Sequence, residues 1–268
     1  MTTWRFIDTG LLDGPANMAI DEALLACFDP ETSAPVLRFY GWNPPAFTLG
    51  RFQDAGAVLD LGKCRDAGIP VVRRITGGGL IFHAGELTYS IVCAPRQIRP
   101  QVSVKESFRV LTAFLIRFYE KLGLAARYAV DHYPAGTRLG GRTPICFAGR
   151  ETYDILVEGR KIGGNAQKRL KNVIFQHGSI PLRNCLTTAV DFLRERPSGL
   201  AEGTVSLAEQ GVTVDCERLK NLLLEAFLES HGVSMSQSGL TVREEKAAAH
   251  LLHAACTGEA ADGKRMTA

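Results

Sequence analysis

The stretch Val71-Val72-Arg73-Arg74-Ile75-Thr76-Gly77-Gly78-Gly79-Leu80-Ile81-Phe82-His83 decides the fold. It reads as a strand, a triple glycine and a second strand. A mononucleotide-binding α/β unit would pass from strand through glycine loop into a helix. This string matches neither G-x-G-x-x-G nor the phosphate-loop pattern, so that class is set aside. Consecutive arginines in a strand project to opposite faces, so one of Arg73 and Arg74 can face a given pocket. Three residues without Cβ let a ligand lie against backbone N–H groups. A glycine bulge at a tight strand crossing accounts for them equally well.

Outward from this centre, Leu87 to Val92 continues the pattern, giving an antiparallel strand pair or three strands. Upstream, Trp4 to Asp8 reads as a short edge strand, and Gly14-Pro15 opens a helix with Pro15 at its first position. Val36 to Tyr40 and Ala46 to Gly50 read as strands, and Leu59 to Ala67 as a short helix stopped by Gly68. Ser107 to Leu122 carries Leu111, Phe114, Leu115, Phe118 and Leu122 on one helical stripe. Tyr153 to Val157, the turn Glu158-Gly159-Arg160 and Lys161 to Ala166 predict a hairpin, and Val173 to Ile180 a further strand ended by Pro181. Ser206 and Glu209 have capping-box spacing, and Cys216 to Ser230 and Thr241 to Cys256 read as helices. The fold class expected is α+β: a mixed, mostly antiparallel sheet flanked by helices.

Composition narrows the function. At 268 residues, with 46% apolar and 22% charged side chains, the chain has the make-up of a folded domain and lacks that of a disordered tail. A net charge of +3 does not mark a nucleic-acid binder. From Leu139 to Lys171, however, Arg142, Arg150, Arg160, Lys161, Lys168, Arg169 and Lys171 face only Glu151, Asp154 and Glu158. That local excess suits an acidic partner or an anionic group, or else a solvated basic hairpin. Seven scattered cysteines without C-x-x-C spacing argue against zinc, redox and disulfide frameworks. No metal site is expected. No signal-like amino terminus and no bilayer-length apolar run is seen, so the expectation is a reduced, soluble protein of the cytoplasm, without membrane contact.

Four places carry candidate chemistry. His83 ends a strand beside the glycines, where a histidine is more often structural. Cys146, in Thr143-Pro144-Ile145-Cys146-Phe147, lies within the basic cluster, and positive neighbours favour the nucleophilic thiolate. A buried, inert cysteine is the alternative, and Cys27 and Cys93 fit that description. Lys161 is followed by Ile162-Gly163-Gly164-Asn165-Ala166, small residues that let something lie close to the backbone, and it can bind a carbonyl or phosphate or simply be a solvated turn lysine. His177-Gly178-Ser179 repeats the theme on the next strand.

Taken together, these segments resemble the superfamily of lipoate–protein ligases, lipoyl(octanoyl) transferases and biotin–protein ligases. The resemblance is carried by Phe6 to Gly10, Asn17 to Glu22, Leu37 to Trp42, Arg73 to Gly79, Glu86 to Ser90, Gly159 to Gln167 and His177 to Ser179, in family order. Cys146-Phe147, ahead of Gly159-Arg160-Lys161, is most similar to the cysteine-dependent octanoyltransferases of the ligase-like branch. The resemblance runs from about residue 4 to 182; the domain organisation expected is a catalytic domain over residues 1–235, followed by a helical extension over 236–268 with a frayed end. It implies octanoyl transfer from acyl carrier protein, through a thioester on Cys146, to a lysine of a lipoyl-domain protein such as glycine cleavage H protein. Lys161 would act beside Cys146 in catalysis. Arg74, Thr76, Gly77, Gly78, Gly79, His83, Gly163, Ala166 and His177 would bind the substrate. No cofactor is implied for that route.

Three rival readings remain at this level. An ATP-dependent lipoate ligase, with ATP and magnesium, would hold an adenylate at the glycines and Lys161. An amidotransferase would move lipoyl or octanoyl groups between lipoyl domains through Cys146. A non-catalytic module would bind acyl ligands without turnover. Nucleic-acid binding fits least, since Phe147 and Tyr153 alone supply aromatics to the basic stretch.

Overall fold

Side chains alternate along Glu86–Cys93, and the alternation sorts the molecule into layers. Leu87, Tyr89, Ile91 and Cys93 enter one apolar core; Thr88, Ser90 and Val92 face the other way. The same division runs through the neighbouring strands, with Leu37 and Phe39 on the first face, Val36, Arg38 and Tyr40 on the second.

The computed structural model describes residues 2–98, 103–134, 136–137, 139, 149, 151–196 and 202–257. In chain order its principal elements are β1 (Thr3–Leu12), α1 (Gly14–Cys27), β2 (Val36–Trp42), β3 (Ala46–Leu49), β4 (Val71–Arg73), β5 (Ile81–His83), β6 (Glu86–Cys93), α2 (Val104–Lys121), β7 (Ala126–Tyr128), β8 (Ile155–Val157), β9 (Arg160–Lys161), β10 (Gly164–Arg169), β11 (Ile174–Pro181), α3 (Cys216–His231), β12 (Ser234–Gln237) and α4 (Val242–Thr257). The large sheet has the order β10-β11-β6-β2-β1-β12. Its first three pairings are antiparallel and its last two parallel, which is the mixed α+β class expected.

Helices α2 and α3 cover one face. The predicted stripe of α2 is buried there, with Leu111, Phe114, Leu115 and Phe118 each at most 2% exposed. Burial of each such side chain contributes about 1.5–3 kcal/mol. Helix α1 covers the other face. Asp13 caps it by accepting from the Ala16 amide, and Pro15 sits in its first turn. Helix α4 packs outside α1, with Ala248 in one core with Ile20, Ala23 and Leu24. Glu244 of α4 accepts from Arg5 Nη1 at 2.7 Å and Nη2 at 2.9 Å, tying the segment to β1. The boundary expected at 235/236 falls inside β12.

Three expectations are corrected. First, β1 is not an edge: β12 pairs with it in parallel. Ser234-Met235-Ser236-Gln237 lacks apolar alternation, so its pairing rests on backbone bonds that residue type does not announce. Second, β4 and β5 do not pair with each other. They flank β3, parallel and antiparallel respectively, while β6 joins the large sheet. The Arg74 guanidinium fills the loop between them, donating to the carbonyls of Gly77 and Gly79 at 2.8 and 2.7 Å. Third, the hairpin of β8 and β9 ends at Lys161. Glu158 and Gly159 form its turn with φ of 51° and 74°. At Gly163, φ is +86° and the Ser179 carbonyl occupies the space a Cβ would need. The chain then crosses into the large sheet as β10, paired with β11.

Candidate active site

Because the α1-facing side chains of β2, β6 and β11 are polar toward one end, they leave a hollow between sheet, α1 and the small β3-β4-β5 sheet. The cavity encloses about 340 Å³, part of it open to solvent, and is walled by Met18, Tyr40, Trp42, Ile81, Ala166 and Gly178 among others. Arg74, His83 and His177 project into this wall as well. Apolar sides with a few converging polar groups are the ordinary make-up of a small-molecule site.

Two buried hydrogen-bond networks support it. In the first, Asp21 is 1% exposed and accepts at 2.8 Å from Arg38 Nη1, the Tyr40 hydroxyl and the Ser90 hydroxyl. Arg38 also donates to Thr9 Oγ1 and to Asn17 Oδ1, and its guanidinium lies 3.9 Å from the Tyr40 ring centroid. Burial pushes the Asp21 carboxyl up, but Arg38, His177 and the hydrogen bonds outweigh it and hold the pKa below its ordinary value. Burial and the adjacent Asp21 charge push the Tyr40 phenol well up, so it stays a donor. His177 Nδ1 lies 3.6 Å from Asp21 Oδ2, too long for a good hydrogen bond, and burial lowers the imidazole pKa. His177 is therefore neutral at pH 7, with Nε2 bonded to Thr76 Oγ1 at 2.7 Å.

The second network is centred on Glu86. It accepts from Thr88 and Ser179 hydroxyls at 2.7 Å and lies 2.6 Å from His83 Nδ1. His83 Nε2 reaches Thr48 Oγ1 at 2.8 Å, and Trp42 stacks on the imidazole at 3.9 Å. Arg74 joins the two networks. It is 2% exposed and donates to Thr76, to Thr48 and to the two glycine carbonyls. Arg73, on the opposite face, is exposed and holds the 50–53 loop through three carbonyls.

The predicted residues thus fall into groups. Arg74, His83, Ala166 and His177 line the cavity, and Thr76 orients His177. Gly77 and Gly79 turn their carbonyls onto Arg74, and the Gly78 carbonyl abuts Gly50. Gly163 serves the crossing into β10 rather than the cavity wall. Lys161 is 1% exposed, 2.7 Å from Asp154 Oδ2, and donates to the Gly149 carbonyl at 3.3 Å. Cys146 lies outside the described residues. Gly149 is three residues along the chain from it, a reach of roughly 10 Å. Residue reading assigned no site role to Asp21, Tyr40, Trp42, Thr48, Glu86 or Ser179. The signal was available in part: hydroxyls and charges recur at every second position of Arg38-Phe39-Tyr40, Thr88-Tyr89-Ser90 and His177-Gly178-Ser179.

Helices on both faces of a mixed sheet thus enclose a small cavity with a polar base, and comparison with known proteins places this fold in a family. Residues 13–228 match the lipoyl protein ligase A/B catalytic domain, and the chain belongs to that family. It is similar to octanoyltransferase LipM of Kyrpidia tusciae, 36% identical over 94% of this chain and 96% of the relative. It is also similar to octanoyltransferase LipM of Symbiobacterium thermophilum, 37% identical over 94% and 95%. Among solved structures, a lipoate–protein ligase A bound with ATP superposes with a TM-score of 0.78 at 24% identity, covering 94% of this chain and 95% of that one. A bipartite lipoate protein ligase of Thermoplasma acidophilum, solved as part of a lipoylation system with its E2 lipoyl domain, gives 0.78 at 23%, covering 94% and 93%.

Proposed function

We propose that this protein is an octanoyltransferase that moves an octanoyl group from a carrier thioester to a lysine of a lipoyl-domain protein. The observation that carries the reading is the similarity to octanoyltransferases along nearly the whole chain. The cavity supports it, since Met18, Tyr40, Trp42, Ile81 and Ala166 give it apolar walls against which an acyl chain can lie.

In this reading the Cys146 thiolate attacks the octanoyl thioester of acyl carrier protein. A sulfur–acyl bond forms, the carrier's carbon–sulfur bond breaks, and the carrier thiol leaves with a proton. The deprotonated acceptor lysine then attacks the acyl-enzyme. An amide forms, Cys146 is released, and the amine's proton passes to solvent or base. Lys161, anchored on Asp154 and the Gly149 carbonyl, would supply the ammonium that favours the Cys146 thiolate. His177, neutral and held by Thr76, lines the acyl slot. The basic stretch around Lys168 suits acidic carriers and lipoyl domains. The setting is the cytoplasm, in keeping with unpaired Cys27, Cys64, Cys93, Cys185 and Cys216. No described helix is long and apolar enough to cross a membrane.

The test is transfer from octanoyl-carrier to a lipoyl domain without ATP. Wild type is expected to transfer and Cys146→Ala to fail. Full transfer by Cys146→Ala, or strict dependence on ATP, would end this reading.

A further inference from the structure

A second and larger hollow opens beside the acyl cavity, between α1, β4 with its following loop, and the last turns of α4, enclosing about 1630 Å³ with open solvent included. The two hollows share Met18 and Arg74 in their walls. Ala166 of β10 lines the first and Lys168 the second. Two residues along a strand share a face and lie roughly 6.6 Å apart, so one strand face leads from cavity to cleft.

The charges of the cleft are unbalanced. Arg51, Arg73 and Lys168 line it with Arg74, and Glu22 is the only acidic side chain among its described lining residues. Burial and then the adjacent Arg51 charge lower the Lys168 pKa, with Glu22 opposing weakly. Two cations close enough to disfavour each other are relieved by an anion between them. Arg51 is also held in place. Its amide donates to the Thr76 carbonyl at 2.8 Å, and Arg73 grips the carbonyls on either side of it. Beside it, Phe52 is 87% exposed.

We infer that this cleft receives the phosphopantetheine arm of the acyl donor, with Arg51 and Lys168 binding its phosphodiester. The inference rests on the thioester-transfer reading and adds the anchoring site for the donor. An ammonium and a guanidinium supply the charge-assisted hydrogen bonds a phosphate requires. The apolar lining from Val71, Val72 and Leu251 fits the arm's aliphatic amide chain. The arm then approaches the acyl cavity at Arg74 and Met18, which line both hollows.

Calorimetry with the full chain tests this, using 4′-phosphopantetheine and pantetheine as probes. Wild type is expected to bind the phosphorylated arm about tenfold tighter than pantetheine. That preference is expected to vanish in Arg51→Gln/Lys168→Gln and to survive in Lys168→Arg, with pantetheine affinity unchanged as the control for folding. Equal affinity of wild type for both probes overturns the inference, as does a preference retained by the double variant. Tighter binding of ATP than of phosphopantetheine, abolished by the same substitutions, would assign the anion to a nucleotide and overturn it too. Failure of the transfer reading is seen separately, as absence of turnover with octanoyl thioesters.

Discussion

Replacing Asp21 by asparagine keeps the shape of the side chain and removes its charge. Three donors converge on that carboxylate at 2.8 Å, and the Arg38 guanidinium among them is 0% exposed. The variant would leave Arg38 buried without its counter-charge, a change that costs about 3–5 kcal/mol. Against a total stability of roughly 5–15 kcal/mol, that is a large share. In a domain of this size the melting temperature should fall by roughly 6–20 °C. Urea denaturation at pH 7 measures the loss directly, with an unchanged slope showing that stability alone moved. The pH dependence has a definite sign. The folded carboxyl pKa is lowered, so its contribution is complete above the unfolded value of about 4 and is lost as pH falls through the folded value. The gap between wild type and Asp21→Asn should therefore be full at pH 7 and close below about pH 4. Asp21→Asn/Arg38→Met should lose less than the two single variants combined, because no lone charge remains. A loss below about 1 kcal/mol at pH 7 would refute the claim that this pair anchors the cavity floor.

Other expectations follow from separate parts of the structure. His231 is packed against Phe227 at 4.3 Å, burial holds its pKa at about 4, and its Nε2 has no partner. Its folded pKa lies below the unfolded value of about 6.5, so about 3 kcal/mol should be lost as pH falls from there to 4. Denaturation curves of His231→Phe should be flatter over that window, and identical curves would sink the assignment. At Gly50 an added methyl meets the Gly78 carbonyl, so Gly50→Ala should displace the glycine loop and reduce transfer by about a hundredfold, read from kcat/KM. Lys161→Met should destabilise by about 3–5 kcal/mol by stranding Asp154. Lys161→Met/Asp154→Leu should regain most of that stability yet stay inactive; recovered transfer would make the lysine purely structural.

Much of the architecture was legible because it follows from periodicity. The stripe on α2, the proline of α1, and the capping pair Ser206 and Glu209 all act within a few residues of themselves. What escaped was non-local. Nothing in Ser234 to Gln237 announces a strand, because its partner lies more than 200 residues away. Arg74 was identified, but besides Thr76, Gly77 and Gly79 of its own loop it donates to the carbonyl and hydroxyl of Thr48, which belongs to another strand. Asp21 and Asn17 look like a solvated helical pair at i and i+4, and only the polar undersides of β2, β6 and β11 make their burial affordable. Lys161 illustrates the opposite case: a turn lysine by local reading, it is buried on an aspartate seven residues upstream across the hairpin.

The central claim is a covalent octanoyl group on Cys146, and intact mass spectrometry addresses it most directly. Incubation with octanoyl-carrier should add one octanoyl mass to wild type, removed by hydroxylamine and absent from Cys146→Ala. An adduct that persists in that variant, or labelling that appears only with ATP and free octanoate, would contradict the account.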